Sequence, residues 1–229
     1  MAETTKFSGF PRAAPGFLAR LAENNAKPWF DSHRGEYEEL LLAPARAAVA
    51  ALGARLKTHA PGIRAEPRIN GSIMRINRDT RFAKNKAPYK DYLGLWFWEG
   101  EGPSRACPGF YFGFGAKSLT IGAGMHQFGP DHLARYRRAV VDPDHGPALG
   151  RIVDALSAGE LGDRHYKRVP RGFDPDHPNA ALLLHNGLTA GRTEALPEAL
   201  FGPGAAEYCA AAFSRYAPLH RWLVGALAP

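Results

Sequence analysis

Apolar residues recur at helical spacing near both ends of the chain and at alternating spacing in its middle. Pro15 sits well in the first turn of a helix running to about Asn24, with Phe17, Leu18 and Leu21 as its apolar stripe. Trp29 and Phe30 open a second helix to about Leu42 that carries Tyr37, Leu40 and Leu41. Pro44 then kinks that helix or starts a new one, because its ring clashes with the preceding turn. Ala45, Ala48, Val49, Leu52 and Leu56 keep helical spacing until Pro61-Gly62 ends the run. Residues 68–76 mix β-branched and polar side chains and read as a strand. Arg75 shares the parity of Ile69 and Ile73, so a bulge or strand end is expected near 74. Residues 92–98, 110–114 and 119–125 alternate more clearly, and Gly115-Ala-Lys-Ser118 between the last two reads as a hairpin turn. Helical spacing returns at 130–141 and 149–156, in a short helix from Pro178 to about His185, and in a last helix over 204–227 broken near Pro218. The pattern predicts an α+β fold: an antiparallel sheet of about four strands in the middle of the chain, with helices before and after it. No linker divides the chain, so residues 1–229 are expected to form a single domain.

The strands have two unlike faces. One parity collects Leu93, Leu95, Phe97, Phe110, Phe112, Phe114, Leu119, Ile121, Ala123 and Met125, a core face. The other collects Tyr92, Gly94, Trp96, Trp98, Tyr111, Gly113, Thr120, Gly122 and Gly124. Glycine weakens a strand, so several on one face imply close approach by a ligand, a helix or another backbone.

Charge changes this picture at one place. The chain carries a formal +7, and from Arg64 to Lys90 eight Lys/Arg stand against Glu66 and Asp79, a local balance of +6. Arg75, Arg78, Arg81, Lys84, Lys86 and Lys90 are interleaved with Ile73, Ile76, Phe82 and Tyr89, which pin the segment to a core. Such a field attracts anions, and arginine forks suit phosphate or carboxylate. Lys167, Arg168 and Arg171 form a second basic cluster.

Other chemistry is sparse. No Gly-x-Ser-x-Gly, His-Glu-x-x-His, Cys-x-x-Cys or dinucleotide fingerprint occurs, so no catalytic residue is assigned and no metal or cofactor is expected. Asp174-Pro-Asp176-His177 reads as turn and cap chemistry before Pro178 rather than as a ligand set. Cys107 and Cys209 match no redox spacing and read as buried thiols, which makes the cytoplasm the expected address. Residues 1–11 do not read as a signal peptide, and no apolar run is long enough to span a membrane.

Five words carry a resemblance: Phe7-Ser-Gly-Phe-Pro11, Asn25-Ala-Lys-Pro-Trp-Phe-Asp-Ser-His-Arg34, Ile76-Asn-Arg-Asp-Thr-Arg-Phe82, Lys86-Ala-Pro-Tyr-Lys90 and Lys167-Arg-Val-Pro-Arg-Gly-Phe-Asp-Pro-Asp-His-Pro178. Together they resemble a family catalogued as domain of unknown function 2461, over essentially the whole chain. The resemblance implies a single-domain, mostly intracellular protein and no particular activity.

Three function classes follow. In the first, the two basic loops converge, and Arg75, Arg78, Arg81, Lys84, Lys86, Lys90, Lys167, Arg168 and Arg171 bind a phosphorylated or carboxylated small molecule, with catalysis left open. Asp79 would then be a salt-bridge partner, and Tyr89 and Tyr92 would hydrogen-bond, stack or fill the core. In the second, Trp96, Trp98 and Tyr111 stack nucleic-acid bases on the sheet. In the third, the arginines only brace loops.

Overall fold

The computed structural model describes residues 7–81, 84 and 86–228; the core role expected of Phe82 lies outside the described residues. The first helix forms as the spacing requires: α1 spans Ala14–Glu23 with Pro15 in its first turn and Phe17, Leu18 and Leu21 buried. The second expected helix is interrupted. It divides into α2, Lys27–Ser32, and α3, Arg34–Tyr37, around His33. The His33 ring stacks on Trp29 at 4.0 Å and its Nδ1 lies 2.8 Å from the Trp29 carbonyl, so the side chain competes with the helix for that group. A wide π-turn over Glu38–Leu42 then leads into α4, Ala43–Leu56. Pro44 therefore starts a helix, and the widened turn before it relieves the ring–carbonyl clash.

The sheet has five antiparallel strands in sequential order: β1 Ile63–Arg64, β2 Leu93–Glu99, β3 Gly109–Phe114, β4 Ser118–Met125 and β5 Leu188–Ala195. The 115–118 turn closes with a Gly115 N–H to Ser118 carbonyl bond of 3.0 Å. Two helices, α5 (Pro130–Val141) and α6 (His145–Asp154), separate β4 from β5. A turn of 3-10 helix over Ala180–Leu184 replaces the short helix expected after Pro178, and α7 (Ala205–Ser214) and α8 (Ala217–Leu227) complete the chain.

Residues 68–76 do not form the strand expected of them. Pro67 removes a ladder donor, and Asn70, at φ 62°, turns the chain with Gly71 so that Ile69 bridges Ile73. Only the exit from that turn meets the sheet: the Met74 N–H donates to Gly94, the Trp96 N–H donates to Ser72, and Ile73 bridges Leu95. The segment thus continues the free edge of β2 where β1 leaves off.

The core face is as the alternation requires, with Phe97, Phe110, Phe112 and Phe114 all buried. Each phenylalanine removed from water contributes roughly 1.5–3 kcal/mol. Phe213 of α7 meets Phe97 and Phe110 edge-on at 6.1 and 5.4 Å. Cys107 and Cys209 are buried and unpaired, and burial pushes the Cys209 thiol up to about 12. No helix among the described residues is long and apolar enough to cross a membrane.

α8 carries a buried histidine into this layer. His220 Nε2 lies 2.8 Å from Glu99 Oε2, its ring lies 4.5 Å from Phe110, and its Nδ1 is buried without a partner. A neutral ring donating from Nε2 to Glu99 fits this site, whereas protonating Nδ1 would bury an N–H with no acceptor. Burial accordingly holds the His220 pKa below its ordinary value, against the pull of Glu99. The unfolded chain then takes up this proton first, so the contribution is complete above the unfolded value of about 6.5 and is lost as the pH falls below it. Denaturant stability should decline from about pH 7 towards pH 5, and His220→Gln should flatten that slope while lowering stability at pH 7. His185, also depressed by burial, would leave a residual slope. An unchanged slope in the variant would remove His220 from this role.

Candidate functional site

The central basic segment is built as a short ribbon. The Arg78 N–H donates to the Pro88 carbonyl and the Lys90 N–H to the Ile76 carbonyl, each at 2.8 Å, and Asn77 bridges Tyr89. Asn25, at the end of α1, clamps the second arm: its Nδ2 donates to the Tyr89 carbonyl at 3.0 Å, and its Oδ1 accepts the Tyr89 N–H at 2.9 Å. The Tyr89 ring is buried against Phe30, 4.2 Å away and nearly parallel, so Tyr89 is a core residue that anchors the ribbon.

The two acids of this stretch are each taken by one arginine. Glu66 pairs with Arg68, and Asp79 accepts Arg81 Nε and Nη2 at 3.0 and 2.7 Å. The Arg81 hydrogen bonds hold the Asp79 carboxyl far below the usual carboxylate range, which makes it an ion-pair partner and a poor base. Lys84 and Lys86 are exposed, and Lys86 Nζ donates to the Thr80 carbonyl at 2.9 Å.

Arg75, Arg78 and Lys90 remain, and Lys90 and Arg78 lie near Tyr92, on the glycine side of the sheet. Lys90 Nζ donates to the Arg75 carbonyl at 2.8 Å and stands 5.8 Å from the centre of the Tyr92 ring. Burial, then the charges of Arg105, Arg75 and Arg78, hold the Lys90 pKa below its ordinary value. Arg78 Nη2 lies 3.7 Å from Asp91 Oδ1, too far for a hydrogen bond, and its Nε is buried without a partner. Burial raises the Tyr92 hydroxyl pKa, with Arg78 and Arg105 pulling the other way. Arg105 belongs to a short turn, Ser104–Ala106, which Trp96 Nε1 fastens with a 2.9 Å bond to the Ser104 carbonyl. The spacing of cations along 64–90 gives no sign of Arg105. Only the β2–β3 pairing and the Trp96 bond bring it here.

The atoms nearest the glycines of this face are side chains of Met74 and Tyr111 at Gly94 and Gly113, and the backbone of β5 at Gly122 and Gly124. Gly94 and Gly113 are directly opposed; a β-carbon on Gly94 would stand 2.8 Å from Met74 Sδ, and one on Gly113 would stand 2.3 Å from Tyr111 Oη. Beside these rings lies a cavity of about 420 Å³ whose lining includes Ala22, Asp91, Tyr92, Tyr111, Gly113, Lys117 and Thr120. Trp98 is buried.

The family model described as Conserved hypothetical protein (DUF2461) matches residues 13–222. The chain belongs to that family. No curated protein and no solved structure matches it.

The second basic cluster is attached elsewhere on the sheet. Lys167, Arg168 and Arg171 are exposed, and their loop is fastened to the opposite side of the sheet, through Leu161 bridging Ala190 of β5 and Tyr166 donating to the Leu184 carbonyl. β3 and β4 lie between the two attachments, so the two basic loops leave from opposite edges of the sheet. A depression of about 630 Å³ near this second loop carries Arg164 next to Asp163, with buried His185 behind them. The Asp174 to His177 string is turn chemistry: Asp174 Oδ1 accepts the Asp176 N–H and His177 Nδ1 accepts the Asn179 N–H. Among the described residues no three His, Cys, Asp or Glu side chains gather into a metal site.

Proposed function

We propose that this protein binds a phosphorylated or carboxylated small molecule at Arg75, Arg78, Lys90 and Arg105, beside Tyr92. The observation that carries the reading is the half-buried Lys90 ammonium, set among three arginines, of which Arg78 stands 3.7 Å from Asp91. Like charges gathered at a partly dry surface destabilise one another, and a bound anion would relieve that repulsion. It would also give the buried Arg78 Nε an acceptor. Arg81, tied to Asp79, serves as a brace, and the cations at 167, 168 and 171 stand apart. Nucleic-acid stacking is less well supported, because a platform needs open rings while Trp98 is buried and Trp96 is fastened to Ser104.

Thermal denaturation against inorganic phosphate and citrate at constant ionic strength tests this reading. Mass action predicts a rise with concentration, worth about 2.7 kcal/mol at a hundred times Kd. Lys90→Met should abolish the rise and Arg78→Lys should weaken it, since lysine keeps the charge but loses the two-pronged contact. Arg81→Lys and Lys167→Met should leave it intact. No specific shift with either anion, or equal shifts in Lys90→Met and the parent, would overturn the proposal.

A further inference from the structure

We infer that the anion is the phosphate of a mononucleotide whose base lies in the cavity against Tyr111 and Gly113, a reading that rests on the anion site proposed above. The cation cluster and the cavity are contiguous. Asp91 and Tyr92 line the cavity, while Asp91 also faces Arg78, and the Tyr92 ring lies 5.8 Å from Lys90 Nζ. A ligand anchored by its phosphate at Lys90 therefore projects its other end past Tyr92 into that space.

The cavity's own chemistry suits a flat ring. Its volume, about 420 Å³, lies towards the small end of ligand pockets. Gly113 belongs to its lining with the Tyr111 ring laid across it, so an aromatic side chain lines the space where a branched one would otherwise stand. Ala22 of α1 supplies an apolar wall. At the far end the Thr120 and Thr193 hydroxyls bond to each other at 2.9 Å, and the Lys117 side chain belongs to the same lining. Hydroxyls and an ammonium can address the polar edge of a base, whereas an acyl chain would meet them unsatisfied. A bare phosphate would use the cations and leave the tyrosines idle. A cluster of four cations also matches a phosphate dianion better than a single carboxylate.

Calorimetric titration of the full chain at constant ionic strength, with AMP, CMP, ribose 5-phosphate, inorganic phosphate and adenosine as probes, tests the inference. At least one nucleotide should bind about tenfold or more tighter than ribose 5-phosphate, the difference expected of a stacked base. Lys90→Met should weaken all the phosphates together. Gly113→Ala should weaken only the nucleotides, because its methyl forces Tyr111 out of its place over the glycine. Tyr92→Leu provides a second variant should Gly113→Ala unfold, and the same selective loss is expected. Ribose 5-phosphate binding as tightly as both nucleotides would overturn the nucleotide reading and leave the anion site standing. Failure of every phosphate to bind would remove both. A single-stranded oligonucleotide binding far more tightly than AMP, with steep salt dependence, would overturn the mononucleotide in favour of a strand.

Discussion

Gly124→Ala is expected to destabilise the folded protein by on the order of 3 kcal/mol, since strained backbone and overpacking each cost about 1–3. Gly124 has φ 142°, a conformation that a residue with a β-carbon rarely adopts. An added β-carbon would stand 2.2 Å from the Leu188 carbonyl oxygen and 2.6 Å from Thr189 Cα. Those are backbone atoms of β5, so relief requires the strand to move. The ladder that pairs Gly124 with Thr189 and Gly122 with Gly191 would open at that end. For a chain of this size the melting temperature should fall by about 6–12 °C. Gly129→Ala is the control: nothing lies within 4 Å of its β-carbon position and its φ is −67°, so little change is expected. A Gly124→Ala protein that melts with the parent would show that β5 is not held against β4 as described.

That glycine also shows how far the alternation could be read. Placing Gly94, Gly113, Gly122 and Gly124 on one face was enough to require close approach, but the approaching groups differ. Gly122 and Gly124 admit the backbone of β5, while Gly94 and Gly113 admit Met74 and Tyr111. The sequence pattern cannot separate these cases, because β5 itself is nearly silent. Only Leu188 and Ala190 are buried along it, and the rest of this edge strand is partly or fully exposed. Its regularity comes from pairing with β4, not from a stripe of its own. The reverse holds at 68–76, where β-branched residues suggest a strand but Pro67 and Asn70-Gly71 set a turn.

The candidate site was legible as a count of cations and not as a geometry. Arg68 and Arg81 are withdrawn by Glu66 and Asp79, which a tally of charges weighs the same as any other pair. Arg105 stands outside the basic run and reaches it only because β2 and β3 pair and Trp96 holds Ser104. Lys167, Arg168 and Arg171 have suitable chemistry, but their loop is fastened beyond β4. Net charge predicts attraction to anions; the tertiary fold decides which side chains can share one.

Asn25→Ala should show that placement acts through the ribbon, although it removes no charge. The Asn25 amide makes two bonds to the Tyr89 backbone, satisfying both its N–H and its carbonyl. Net hydrogen bonds of this kind contribute about 1 kcal/mol each, so a loss of about 2 kcal/mol is expected. The melting temperature should fall by about 4–8 °C. Tyr89 would still stack on Phe30, so the arm would loosen rather than detach. Amide exchange at Arg78, Tyr89 and Lys90 should quicken more than exchange in α7, because the ribbon opens locally while the core stays closed. The phosphate-dependent rise in melting temperature should shrink as well, since Lys90 is held against Arg75 by the register that Asn25 fixes. Asn25→Asp keeps the acceptor for the Tyr89 N–H but sets a carboxylate oxygen against the Tyr89 carbonyl, so it should not restore the stability lost in Asn25→Ala. If Asn25→Ala loses stability but keeps the full phosphate response, the clamp and the cation cluster are independent. Arg75, Arg78 and Lys90 would then owe their arrangement to the edge of β2 alone.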